Sequence, residues 1–249
     1  MLYVIADLHL STAEGTNKSM EVFGNRWNGY TEKLEKNWRA VVEPEDSVVI
    51  PGDISWALSL PEAKSDLHFI DSLPGHKYIS KGNHDFWWST AAKMDKLFRE
   101  EGISSISLLA NNAWACEDFI LCGTRGWYQD ESCGNMPEGT DYEKLVAREA
   151  IRLELSLACG KKLAGEHPGL ETLAFFHFPP VWKGVVCRPF VDLLREYGVR
   201  RCFFGHIHGN YTVPPVYTEA GISFSLIAAD YLNFAPRPIL PDLGMPFDR

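Results

Sequence analysis

No run of about 18 consecutive apolar residues occurs in this chain, so no transmembrane helix is expected. The features of a signal peptide are missing as well. Leu2-Tyr3-Val4-Ile5-Ala6 enters a strand-like run at once, with no basic segment, long apolar core or small-residue cleavage site around it. A surplus of positive charge is also lacking. With 24 basic against 33 acidic residues the formal charge is −9, which argues against a general nucleic-acid-binding surface. An anionic substrate stays compatible, because bound metals add local positive charge that a residue count does not see. The six cysteines, Cys116, Cys122, Cys133, Cys159, Cys187 and Cys202, contain no CxxC pair and no framework spacing. They read as free thiols in a reducing, cytoplasmic compartment. Internal repeats, low-complexity segments and linkers are absent too, so residues 1–249 are expected to form one domain.

What the chain does contain is a series of short β-type runs that end in polar, often Gly-containing segments. Leu2–Ala6 precedes Asp7, Ser47–Pro51 precedes Gly52-Asp53, and His76–Ser80 precedes Lys81-Gly82-Asn83. Thr172–Phe176 precedes His177, and Arg201–Phe204 precedes Gly205-His206. Near-continuous apolar character, as in Ser47-Val48-Val49-Ile50, is the mark of a strand buried on both faces. Helical patterns lie between the runs. Tyr30, Leu34, Trp38 and Val41 share a face. Ser59 with Glu62 suggests a capping box before Ala63, Leu67 and Ile70, and Thr140 with Glu143 suggests another before a helix that should stop at Gly160. Pro189 to Tyr197 reads as a shorter helix. Ser105 to Tyr128 is all strand in pattern, with turns at Asn111-Asn112 and Glu117-Asp118, and Gly221 to Ala228 adds a late strand. The tail from Tyr231, with Pro236, Pro238, Pro241 and Pro246, is expected to wrap the surface in extended form. Strands and helices alternating in this way predict an α/β fold with a second, partly antiparallel sheet.

The polar residues at the strand ends form a set. Asp7-Leu8-His9 can aim a carboxylate and an imidazole to one side of an extended segment. Gly52-Asp53 supplies a second carboxylate, and Gly82-Asn83-His84-Asp85 an amide oxygen and a histidine. His177 and Gly205-His206-Ile207-His208-Gly209 add three imidazoles. Two divalent ions about 3.5–4 Å apart need a shared anionic bridge, and such a pair can activate water and clamp a phosphoryl group. Mixed imidazole and carboxylate donors suit Mn, Fe, Zn, Co or Ni better than Ca or Mg, and the lack of Cys argues against structural zinc. Asp7 or Asp53 taken alone is more commonly a turn residue at a strand end than a ligand.

With these blocks the sequence resembles the calcineurin-like metallophosphoesterases, whose pattern is D-x-H, G-D, G-N-H-D/E, a lone His, then G-H-x-H. All are present in order from Asp7 to His208. The resemblance implies a four-layer sandwich of two facing mixed β-sheets flanked by helices, with the active site at the carboxyl ends of the strands. It implies two metal ions. Asp7, His9 and His208 would hold one, Asn83, His177 and His206 the other, and Asp53 would bridge them. A metal-bridging hydroxide would attack phosphorus in line, while His84 protonates the leaving oxygen or stabilises charge, unless it is merely structural. Asp85 is a candidate to orient His84.

Departures from the family pattern bear on substrate. The protein Ser/Thr phosphatase branch reads G-D-x-x-D-R-G, but here the block is Gly52-Asp53-Ile54-Ser55-Trp56-Ala57, without the second acid or the arginine. The expected substrate is therefore a phosphorylated small molecule or nucleotide, with a nuclease or cyclic-nucleotide phosphodiesterase as the alternative. A protein phosphatase and a non-catalytic metal-binding scaffold fit less well. Arg125, in Gly123-Thr124-Arg125-Gly126, is either a phosphate ligand or the partner of an acid. Phe86-Trp87-Trp88 is either an aromatic wall for a flat group or core packing beneath a loop. Gly134 to Gly139 reads as a loop at the edge of the site, and Lys183 and Arg188 as weaker substrate contacts. His68, His76 and His167 belong to no block.

Overall fold

The run Ser47–Pro51 is buried at every position, as a strand with covered faces on both sides must be. It lies at the centre of a sheet in a computed structural model that describes residues 1–12, 20–134 and 138–241. In chain order the first half comprises β1 (Leu2–Val4), α1 (Tyr30–Val41), β2 (Ser47–Pro51), α2 (Lys64–Ser72), β3 (His76–Ser80), α3 (Ala91–Glu101) and β4 (Ile106–Leu108). The second comprises β5 (Trp114–Cys116), β6 (Phe119–Thr124), α4 (Tyr142–Glu166), β7 (Glu171–Phe176), β8 (Val181–Trp182), β9 (Val185–Val186) and α5 (Arg188–Glu196). It continues with β10 (Arg201–Phe204), β11 (Tyr217–Glu219), β12 (Ile222–Leu226) and β13 (Arg237–Ile239).

Two mixed sheets result. One has the order β13-β1-β2-β3-β4, parallel except at β13, and the other the order β11-β12-β10-β7-β6-β5, parallel except at its two edge strands. Period-2 alternation decides which side chain goes where. Val49 on β2 and Leu121, Leu173 and Phe175 on β6 and β7 point between the sheets. Their neighbours Val48 and Ile50 pack under α1, α2 and α3, while Cys122, Ala174 and Phe176 pack under α4 and α5. Helices outside and sheets inside give the expected α/β four-layer sandwich of two facing mixed sheets. The sheets are stitched at Ala6, whose N–H donates to Ile227 at 2.8 Å and whose carbonyl accepts from Ala229 at 2.8 Å.

Several local expectations change. Helix α4 does not stop at Gly160 but runs to Glu166. A Cβ at Gly160 would lie 2.4 Å from Cys122 Sγ, so this glycine serves close helix-to-sheet contact rather than termination. Its N-cap is Asp141, whose carboxylate accepts from Lys144 N–H, one residue past Thr140. Helix α2 starts at Lys64 with no side-chain cap, and Glu62 reaches back to Leu58 N–H instead of completing a box with Ser59. Val41 is 39% exposed and Val42 is buried in its place, because the chain turns extended at that residue. Helix α3, with Met94, Leu97 and Phe98 buried along one face, and the β8–β9 ribbon are not among the expected elements and emerge only here. The tail does more than wrap the surface, since β13 pairs antiparallel with β1 and Pro238 lies opposite Tyr3. A proline is tolerated on such an edge strand because one N–H row faces away from the sheet. Pro246 and residues 135–137 of the Gly134 to Gly139 loop lie outside the described residues.

Candidate metal centre

Every candidate donor follows the carboxyl end of a parallel strand. Asp7 and His9 follow β1, Asp53 follows β2, Asn83 follows β3, His177 follows β7, and His206 and His208 follow β10. Because Ala6 joins the two sheets, all these ends meet at one seam. The backbone there is held in the left-handed region that non-glycine residues seldom occupy: φ is +60° at Asp7, +46° at His9, +50° at Asp53 and +69° at His206. Such strain persists only where surrounding contacts fix it, and it concentrates at functional sites. Glycines make the approach possible. A Cβ at Gly82 would lie 2.1 Å from Asp53 Oδ1, and one at Gly205 would lie 2.4 Å from Asp7 Oδ2. A Cβ at Gly52 would meet Gly82 Cα at 2.6 Å and His177 Nδ1 at 2.9 Å.

The donors divide into two groups. Asp7, His9 and His208 present ligand atoms within 4.8 Å of one another, as do Asp53, His177 and His206. In the first, His9 Nε2 faces His208 Nε2 at 3.1 Å. In the second, His177 Nε2 lies 2.6 Å from Asn83 Oδ1 and 3.2 Å from His206 Nδ1. Asp53 Oδ2 stands between the groups, 3.7 Å from His9 Nε2 and 3.4 Å from His177 Nε2. Two imidazole lone pairs converge in this way only around a proton or a cation. The donor set, all nitrogen and oxygen with no sulfur, fits a pair of transition metal ions.

Backbone amides orient the carboxylates. His206 N–H donates to Asp7 at 2.8 Å, and His84 N–H donates to Asp53 Oδ1 at 2.7 Å. Burial raises the Asp7 carboxyl to about 7, with Asp53 adding and His177 and His208 opposing. Burial also acts upward on Asp53, but His177, His9 and His84 outweigh it and hold that carboxyl far below its ordinary range. Burial drives His9 down to about 3 and takes His206 well below the usual histidine value. His177 and His208 go the other way, since the carboxylates of Asp53 and Asp230 respectively overcome the cost of burial. Binding a cation needs these rings neutral, so loading the centre releases protons.

His84 is half-buried at the rim, its ring 4.4 Å from that of Trp56 and 5.6 Å from that of His9. The fully buried carboxylate of Asp85 accepts from Ile54, Ser55 and Gly82 N–H and from Trp87 Nε1, which ties the two loops carrying Asp53 and Asn83 together. Trp87 is 2% exposed and belongs to the core beneath α2 and α3, so it forms no wall for substrate. The aromatic surround comes from elsewhere. Trp56 stacks on His9 at 5.0 Å, Trp27 meets His208 edge-on at 5.5 Å, and Tyr128 meets His206 at 5.3 Å. Arg125 sits beside the centre, its carbonyl accepting from His177 N–H at 3.1 Å, and its guanidinium pairs with buried Glu149 at 3.2 Å. His68 pairs with Glu101, His76 with Ser107, and His167 follows the end of α4.

Sequence reading missed Asp230. It follows β12, is fully buried, and its Oδ1 lies 2.9 Å from His208 Nδ1. The only signal for it was a lone acid in Ile227-Ala228-Ala229-Asp230 at the end of an apolar run, the same context that marked Asp53.

Fold and site together define a phosphoesterase with two candidate metal sites. Residues 1–210 match the calcineurin-like phosphoesterase family, and the chain belongs to that family. Solved structures with a similar fold include the phosphopantetheinyl hydrolase PptH from Mycobacterium tuberculosis, at 16% identity and a TM-score of 0.52, covering 98% of this chain and 97% of that one. Another is the protein of unknown function AQ665 from Aquifex aeolicus, at 15% identity and a TM-score of 0.49, covering 95% and 94% respectively. No curated protein matches the sequence. No helix among the described residues is long and apolar enough to cross a membrane.

Proposed function

We propose that this protein is a hydrolase of phosphoric esters working through a dinuclear metal centre. Asp7, His9 and His208 hold one ion, Asn83, His177 and His206 hold the other, and Asp53 bridges them. The observation that carries this reading is the position of Asp53 Oδ2, which faces one imidazole from each donor group. Manganese, iron, zinc, cobalt and nickel all suit nitrogen and oxygen donors of this kind. When bound, the metal pair supplies Lewis acidity and a water activated at neutral pH.

The chain's own residues do the rest. Asn83 turns its amide oxygen toward the centre beside His177. Asp53, fixed by His84 N–H, keeps its negative charge at neutral pH because the surrounding imidazoles stabilise it. His84, at the rim, holds a proton for the departing oxygen. Asp230 and Asp85 keep the rings and loops in register. The substrate is a phosphorylated small molecule or nucleotide. We treat residues 1–249 as one domain, since β11, β12 and β13 complete the edges of both sheets. The six cysteines are all free, which suits a reducing, cytoplasmic setting.

Protein stripped with a chelator and reloaded with single metals tests the reading on an aryl phosphate monoester, an aryl diester, nucleotides and a phosphopeptide. Metal-dependent turnover of the esters is expected, with the phosphopeptide poorest, and the diester rate separates monoesterase from phosphodiesterase. Asp53→Asn should abolish turnover and lower the content of both metals. Near-normal turnover in that variant would overturn the bridging role.

A further inference from the structure

A cleft of about 690 Å³ opens beside the metal centre, along the ends of β3 and β6 and the start of α3. It shares two loops with the donors. Lys81, on its wall, lies two residues before Asn83, and Arg125 binds the His177 amide through its carbonyl. In a chain of net charge −9 the cleft has the opposite sign, with Lys81, Arg125, Arg148 and Arg152 facing a single acid, Glu149.

The three guanidiniums converge on one oxygen. Glu149 Oε1 lies 2.7 Å from Arg152, 3.2 Å from Arg125 and 3.5 Å from Arg148, while Oε2 accepts from the Thr124 hydroxyl at 2.8 Å. One carboxylate balances one guanidinium, so two positive charges are left over, and Lys81 pairs with no acid among the described residues. Unpartnered donors point to the same need. Ser80 is 3% exposed and its hydroxyl has no hydrogen-bond partner among the described residues, and neither has the charged Arg125 Nε–H. Helix α3 brings its N-terminus to this wall through Thr90 and Ala91, with no acid in its first turn and no side-chain cap. Free amides and the helix dipole favour an anion there.

The geometry points to a subsite for a second phosphate group carried by the same substrate. The substrate class is then a phosphoric ester bearing another phosphoryl group, one phosphorus at the metals and the other between the arginines and the start of α3. Arginine binds such a group bidentately, and several share its charge. A substrate with one phosphate would leave the cleft's surplus charge unmatched. This inference rests on the proposed hydrolase reading only for the scissile half of the substrate.

Arg148 and Arg152 lie on the outer part of α4, with side chains 47% and 43% exposed, so Arg148→Gln/Arg152→Gln should keep the fold, which circular dichroism verifies. Titration of inorganic phosphate into the full chain with chelator present reads the subsite without metals or turnover. The wild type should bind, and the double variant should bind about 10- to 100-fold more weakly, as expected when hydrogen bonds to a charged group are lost. No binding by the wild type, or equal binding by the variant, overturns the subsite. In the metal-loaded enzyme, the ratio of kcat/KM for a bisphosphorylated ester to that for an aryl monophosphate should fall by a similar factor. An unchanged ratio also overturns it. If no metal supports turnover of either ester, the hydrolase reading fails, and the phosphate titration still decides the subsite.

Discussion

Asp230 Oδ1 lies 2.9 Å from His208 Nδ1, and its other oxygen accepts from Gly209 N–H at 3.0 Å and from the Tyr211 hydroxyl at 3.1 Å. A carboxylate in that place fixes the tautomer with the proton on Nδ1 and leaves Nε2 free to face His9. Since Asp230 follows the β12 segment joined to Ala6, one hydrogen-bonded unit sets both ends of the first donor group.

Asp230→Asn should therefore weaken metal binding at Asp7, His9 and His208 by about 10- to 100-fold, the usual cost of losing such a support. Calorimetric titration with manganese or zinc measures this. An unchanged affinity would confine Asp230 to holding the loop at Gly209 and Tyr211.

His84→Ala should keep both metals and lower turnover by roughly 10²–10⁴-fold, the range for lost acid–base help. Metal analysis alongside kcat separates the two effects. Normal turnover would reduce His84 to packing against Trp56 and His9.

Two glycines in α4 should respond with opposite sign. A Cβ added at Gly165 would have nothing within 4 Å, so Gly165→Ala should stabilise the fold by about 0.5–1 kcal/mol through helix propensity alone. Gly160→Ala drives a methyl to 2.4 Å from Cys122 Sγ and 3.3 Å from Ile120 Cγ2, so it should destabilise by about 1–3 kcal/mol. Urea midpoints measured side by side read the difference, and a Gly160→Ala protein no less stable than wild type would show that the α4–β6 contact yields.

Burial pushes the Cys122 and Cys187 thiols up to about 12 from the usual 9. A raised folded value means the folded state retains protons that the unfolded chain gives up. The stability contributed is complete below pH 9 and is lost as pH rises toward 12. Urea midpoints should fall across that window, and less steeply in Cys122→Ala/Cys187→Ala. At about pH 8 a thiol reagent should label half-exposed Cys159 first and reach Cys122, Cys187 and Cys202 only on unfolding.

Much of the candidate centre was legible because its chemistry is local. A buried strand, a glycine that lets backbones approach, and a donor one residue later form a contiguous signal in Gly52-Asp53, Gly82-Asn83 and Gly205-His206. The strand ends then needed only parallel pairing to meet. The strands around the core were legible for the same reason, since the apolar character of Ser47–Pro51 or Thr172–Phe176 is set by neighbouring residues.

What only the tertiary structure decided depends on residues remote in sequence. Asp230 supports His208 across 22 positions, and Glu149 gathers Arg125 across 24, and no periodicity encodes either pairing. Trp87 and Trp56 are equally aromatic in the sequence, yet burial under α2 and α3 takes Trp87 into the core and leaves Trp56 against His9. Gly160 looks like a helix end until β6 is brought beneath it. The sequence by itself determined which donor atoms stand at the strand ends, because backbone and donor are covalently adjacent. Packing decided which of them face one another, because that is settled by long-range contacts and by the exclusion of water between them.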